Sequence, residues 1–125
     1  MAYSGQLSSQ HRLVKVMGGL GNQFFQYAFG KALDNAGFNV LYDTSWYEEC
    51  DDHTGFELDA LIEPGSILGS RELKLWKRFE KRQKLMSKLK LDRQWRAAYK
   101  EKQTEFDASA LTGDALRYEG YWQSW

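Results

Sequence analysis

Apolar residues recur along this chain in two periods, and the changes from one to the other lay out its elements. In the segment from Arg12 to Val16, Leu13, Val14 and Val16 favour a strand. From Gln23 to about Ala36 the period lengthens, and Phe25, Ala28, Phe29, Ala32, Leu33 and Ala36 form one apolar stripe at helical spacing. Gly37 closes that stripe at the position where helices end on glycine. Phe38 to Tyr42 then predicts a second strand, and the short separation implies a parallel pair with a right-handed crossover. Strand, glycine turn, helix and strand open a βαβ unit, so the pattern predicts an α/β fold with a parallel sheet flanked by helices.

Residues 48 to 66 read as loop with a short strand, Phe56 to Ile62, closed by the only proline, Pro64. Ser70 is placed to cap a long helix from about Arg71 to Leu89. Leu73, Trp76, Phe79, Met86 and Leu89 give that helix an apolar stripe, interrupted at Gln83. Arg93 to Gln103 reads either as a last helical turn or as a strand around Tyr99 to Gln103, and Leu116 to Tyr121 as a third sheet strand. Residues 1 to 11 are polar and read as a flexible leader, leaving 12 to 125 as one lobe.

A chain of 125 residues is enough for one domain with a core. Its net charge is zero, so no overall field draws it to nucleic acid or membrane. The single cysteine, Cys50, leaves no internal disulfide and fits a reducing compartment. Met1 to Gln10 has no apolar core of a secretory signal, and no apolar run approaches the roughly eighteen residues that span a bilayer. The expectation is a cytoplasmic protein. The charges are nonetheless segregated: residues 34 to 63 hold nine acids and no base, while residues 71 to 102 carry a net of plus nine. Two solvated faces, or two segments neutralising each other, account for this. The alternative is that the basic helix meets an anionic membrane surface, as a peripheral contact, or a polyanionic acceptor. Nucleic acid is not expected, because no aromatic reading surface accompanies the charge.

The candidate chemistry lies in the turn. Gly18, Gly19 and Gly21 allow positive φ and close approach to main-chain N–H groups, and a Cβ at Gly19 or Gly21 is expected to strain the fold. Asn22 stands where a helix cap belongs, so the turn suits a phosphate or a sugar hydroxyl. A tight connection needing glycine for steric reasons alone fits equally. The third glycine of a dinucleotide fingerprint would fall at Phe24, and no Gly-Lys-Ser/Thr follows, which excludes a Walker loop. Asp43 is positioned to cap the Thr44-Ser45 turn or, less well, to hold a ribose. Trp46 and Tyr47 read as packing before sugar stacking. Cys50, Asp51, Asp52 and His53 are adjacent and cannot all face one ion, so no metal site is expected.

The string Gly18-Gly19-Leu20-Gly21-Asn22-Gln23, followed by Phe25-Gln26-Tyr27-Ala28, resembles the N-terminal signature of the bacterial-type α-1,2-fucosyltransferases, glycosyltransferase family 11. The resemblance continues at Tyr42-Asp43-Thr44-Ser45-Trp46-Tyr47 and at Glu119-Gly120-Tyr121-Trp122-Gln123-Ser124, with only a loose match between. It implies the Rossmann-like N-terminal lobe of a two-lobed GT-B glycosyltransferase, incomplete here, with Phe106 to Leu111 as a short helical segment. It also implies inverting, metal-independent transfer of L-fucose from GDP-fucose to the 2-hydroxyl of a galactose-terminated acceptor, without a cofactor. The family's donor-holding His-x-Arg-Arg string is absent from these residues, so the catalytic group is unassigned and this piece is expected to be inactive alone. An unfinished sheet and uncovered apolar face would favour self-association. The resemblance places Gly18, Gly19, Gly21, Asn22 and Gln23 in the substrate cleft, and Tyr121, Trp122 and Gln123 on the same rim, with a core role for Trp122 equally open. Two other classes remain: a non-catalytic carbohydrate- or nucleotide-binding module, and an interaction module working through the basic helix, residues 71 to 96.

Overall fold

In a computed structural model of the chain, residues 7–49, 58–89, 96–100, 115–120 and 122 are described. Among these residues, five strands and three helices follow in the order β1 (His11–Lys15), α1 (Leu20–Asn35), β2 (Asn39–Asp43), α2 (Trp46–Glu49), β3 (Ile67–Leu68), α3 (Ser70–Leu89), β4 (Arg96–Lys100) and β5 (Ala115–Glu119). The strands form one sheet in the order β3-β2-β1-β5-β4, and every neighbouring pair is parallel. The architecture is α/β, as the alternating periods predict.

A parallel sheet must be covered on both faces, and successive residues of each strand point to opposite sides. Leu13 and Leu41 join Leu68, Leu116 and the α3 residues Trp76 and Phe79 in one core cluster. Their chain neighbours Val14 and Tyr42 join Phe29 and Leu33 of α1, with Tyr99, Tyr118 and Trp122, in the other. Each large side chain so buried contributes about 1.5–3 kcal/mol.

Helix α1 differs from expectation in start and in rotation. It begins at Leu20, and its buried side is Gln23, Gln26, Phe29, Gly30 and Leu33. Phe25 is 37% exposed, and Ala28 and Ala36 face outward. The reason is Gly30, which lies directly against Tyr42: a Cβ there would sit 2.3 Å from the Tyr42 hydroxyl oxygen. That close approach turns the two glutamines inward.

The expected strand from Phe56 to Ile62 is not found in its described part. Leu58–Ala60 is a 3-10 turn, and Leu58 and Ile62 pack one turn apart beside α1. The sheet edge is instead the two-residue β3, pairing Ile67 with Tyr42 and Leu68 with Asp43. Ser70 is the first residue of α3 and not its cap: its N–H and hydroxyl both bond the Glu48 carboxylate, while Glu72 accepts from the Gly69 N–H at 3.1 Å. Met86 and Leu89, expected in the apolar stripe, are exposed. The ambiguous stretch around Tyr99 is strand β4, and the third expected strand is β5. Phe106 to Leu111 lies outside the described residues. Ahead of β1, Leu7 packs on the α3-side core and Ser8 bonds His11 through main chain and side chain. Among the described residues no helix is long and apolar enough to cross a membrane.

Candidate functional site

The chain fills the sheet to one side of β1 with β2 and β3, then to the other side with β5 and β4. Open parallel sheets bind ligands outside the carboxyl ends of their strands, at such a reversal. The glycine turn leaves β1 there, beside the segment that leaves β5.

Gly18 has φ 81°, the left-handed region that glycine enters without strain. A Cβ at Gly18 would also come within 2.9 Å of Asn22 Nδ2. Its carbonyl oxygen accepts from the Tyr47 hydroxyl at 2.7 Å and from Gln23 Nε2 at 3.1 Å, so β2's exit and α1 both grip the turn. Gly19 is the N-cap, extended at φ −76° and ψ 178°, without a side-chain cap. Asn22, expected at that position, falls inside the first turn because the helix starts at Leu20. The Leu20 and Gly21 N–H groups lie at the positive end of the helix dipole, and the first turn holds no acid.

The expected strain at Gly19 and Gly21 is not there. Neither has positive φ, and nothing lies within 4 Å of a Cβ built on either. Glycine at these two positions leaves main chain bare toward solvent. At Gly21, inside a helix, it does so at a cost of about 1 kcal/mol relative to alanine.

Behind the turn stand two buried glutamines. Gln26 Oε1 accepts from the Met17 N–H and its Nε2 donates to the Gly120 carbonyl, both at 3.0 Å. One amide thus clips the exit of β1 to the exit of β5, and its orientation is fixed because one partner is a donor and the other an acceptor. Gln23, expected to face a ligand, is fully buried with its amide turned back to Gly18. Trp122 is also core: it is fully buried, has φ 59°, and stacks on Phe29 with ring centres 3.9 Å apart and planes 5° apart. Tyr99 covers it from 5.7 Å. Both residues frame the site from behind and are not its surface. Tyr121 and Gln123 lie outside the described residues. Among the described residues, Gly18, Gly19, Gly21 and Asn22 of the expected set stand at the turn without joining the core, flanked by Leu20, Phe24 and Phe25, which are 40%, 47% and 37% exposed.

Asp43 is buried and accepts from the Ser45 N–H at 2.9 Å, so it caps its own turn. It borders a cavity of about 100 Å³ with Trp76, Lys77, Glu80 and Arg117. Glu80 is held there by Trp76 Nε1 at 2.8 Å and by Arg117 Nε at 2.9 Å, and Arg117 also reaches Glu119 at 3.2 Å. A separate cleft of about 290 Å³ lies between Tyr27, Lys31 and Asp34 of α1 and Leu61 to Ser66. Trp46 packs edge-on against Tyr47 with ring centres 5.0 Å apart. Burial pushes the Tyr42 hydroxyl well above the usual tyrosine range, with Tyr27 and Asp34 adding to it. Burial also lowers the His11 imidazole below 6.5; the Arg12 charge acts with it and the Ser8 hydrogen bond against it. Among the described residues no group of three His, Cys, Asp or Glu side chains is placed to hold a metal; Cys50 to His53 lie outside them.

Sequence reasoning missed Gln26, Tyr47 as an anchor, and Gly30. A signal for the first was present: Gln23, Gln26, Gly30 and Leu33 fall on one helical face, and amides on a core face need internal partners. Comparison with protein-family models, curated proteins and solved structures finds no match to this chain.

Proposed function

We propose that this chain supplies the ligand-binding glycine turn of a glycosyltransferase that moves L-fucose from GDP-fucose to the 2-hydroxyl of a terminal galactoside, as the N-terminal lobe of a GT-B enzyme. One observation carries the reading: the three sequence blocks that resemble the fucosyltransferases meet at the carboxyl edge of the sheet. Tyr47 of the second block bonds Gly18 of the first, and Gln26 of the first bonds Gly120 of the third. Blocks that share a reaction are expected to share a place, and the bonds between described residues of these three support the reading.

In this reading the first-turn N–H groups and the Asn22 amide receive the donor diphosphate or acceptor hydroxyls, while Leu20, Phe24 and Phe25 give an apolar wall to a sugar or base. The acceptor 2-oxygen attacks the fucose anomeric carbon, the bond to GDP breaks, and GDP leaves with the electron pair while the hydroxyl proton passes to a base. Main-chain donors aimed at the leaving diphosphate would stabilise its growing charge. No metal or cofactor enters this scheme. The His-x-Arg-Arg string of the family does not occur in these 125 residues, so the role assigned to this chain is binding and positioning.

Saturation-transfer NMR with GDP-fucose, GDP and lactose tests the reading. Saturation should reach the guanosine and fucose protons or the galactose ring; none reaching any of the three compounds overturns it. Asn22→Ser and Asn22→Asp then separate site from scaffold. Asn22 is not the N-cap of α1, and affinity should fall about tenfold, near 1.4 kcal/mol, with melting read beside it to separate a lost ligand contact from a lost structural one.

A further inference from the structure

We propose that α3 is a membrane-contact helix that seats the protein on an anionic lipid surface, a property separate from the glycine turn. The inner side of α3 is committed: Trp76 and Phe79 are buried against the sheet, and both acids are occupied, Glu80 by Arg117 and Glu72 by the Gly69 N–H. The outer side carries eight bases, from Arg71 to Lys88, and the ion pairs among the described residues include none of them. Among the described residues, the acidic stretch from 34 to 63 reaches this helix through Glu48 on Ser70 and forms no ion pair with its bases.

The arrangement of these bases identifies the partner. At about 100° per residue, Lys74, Lys77, Lys81, Lys84 and Lys88 share one flank, and Arg71, Arg78 and Arg82 share the other. Beside the arginines lie Leu75, Met86 and Leu89, with Leu85 on the outermost line; these four are 50%, 41%, 76% and 60% exposed. A solvated or nucleic-acid-binding face has no use for four exposed apolar side chains among its bases. A lipid interface takes both: the leucines enter the acyl boundary while the long basic side chains reach headgroup phosphates. The 20-residue helix, about 30 Å long, lies along the protein surface and can contact such a plane over its length.

The test is co-sedimentation of the chain with vesicles of phosphatidylcholine alone and of an equal mixture with phosphatidylglycerol. Binding should require the anionic lipid and weaken as salt is raised. Neutralising Lys74, Lys81 and Lys88 to Gln should lower partitioning about a hundredfold, near fivefold per charge. Leu85→Gln with Leu89→Gln should lower it about tenfold or more. All five positions are exposed, and circular dichroism checks that α3 persists in both variants. Failure to bind the mixed vesicles, unchanged binding of the leucine variant, or tighter retention on RNA or heparin than on the vesicles would each overturn the proposal.

Discussion

Replacing Gln26 should destabilise the protein more than any exposed change at the glycine turn, because one side chain serves two main-chain partners. Gln26 is fully buried, accepts from the Met17 N–H at 3.0 Å and donates to the Gly120 carbonyl at 3.0 Å. Gln26→Met keeps the length and strands both partners. Each orphaned group costs about 1–3 kcal/mol, so the loss is about 2–6 kcal/mol. At about 4 °C per kcal/mol for a domain of this size, the melting temperature should fall by about 8–24 °C. Gln26→Glu refines the test. Its carboxyl still accepts from Met17, but once ionised it faces the Gly120 oxygen with no proton to give. Held neutral it restores the second bond, so its folded pKa should lie above the ordinary 4.3 or so. The folded state then binds more protons than the unfolded state, and stability falls as pH rises through that window. Melting curves at about pH 7 and about pH 4.5, compared with the parent, should show the deficit of Gln26→Glu shrinking in acid. A Gln26→Met melt within about 2 °C of the parent, or a Gln26→Glu deficit independent of pH, would refute this account of the clip.

Three further outcomes are expected. Gly18→Ala should lose about 1 kcal/mol or more of stability from its positive φ, whereas Gly21→Ala, open and helical, should gain up to about 1 kcal/mol yet bind GDP-fucose more weakly; melting and affinity read both. Gly30→Ala should destabilise by about 1–3 kcal/mol against its helix propensity, because the new methyl meets Tyr42, and Tyr42→Leu should relieve part of that loss in a double-mutant cycle. The His11 imidazole is held below 6.5, so the unfolded chain binds its proton first, and stability should fall with acidification from about pH 6.5; urea melts of His11→Gln should show a flatter dependence.

The sheet's parallel start was legible because strand and helix periods alternate cleanly from Leu13 to Tyr42, and α3 because Leu73, Trp76 and Phe79 repeat at helical spacing. The rotation of α1 was not, since a periodicity count scores Phe25 and Ala28 above two glutamines that have internal partners. Pairing of β5 with β1 depends on contacts about a hundred residues apart, which leave no local trace. The glycines show the same limit at the site. Composition marks the turn, but only the folded backbone separates Gly18, which the fold requires, from Gly19 and Gly21, which it does not.

The most direct test of the glycine turn as a ligand site is residue-resolved NMR of the isotope-labelled chain titrated with GDP-fucose and, separately, with lactose. Saturable shifts should appear in the main-chain amides of Gly19, Leu20, Gly21 and Asn22, while those of α3 and β3 stay still. Shifts absent from this turn, or confined to the cleft beside Lys31 and Asp34, would contradict the assignment.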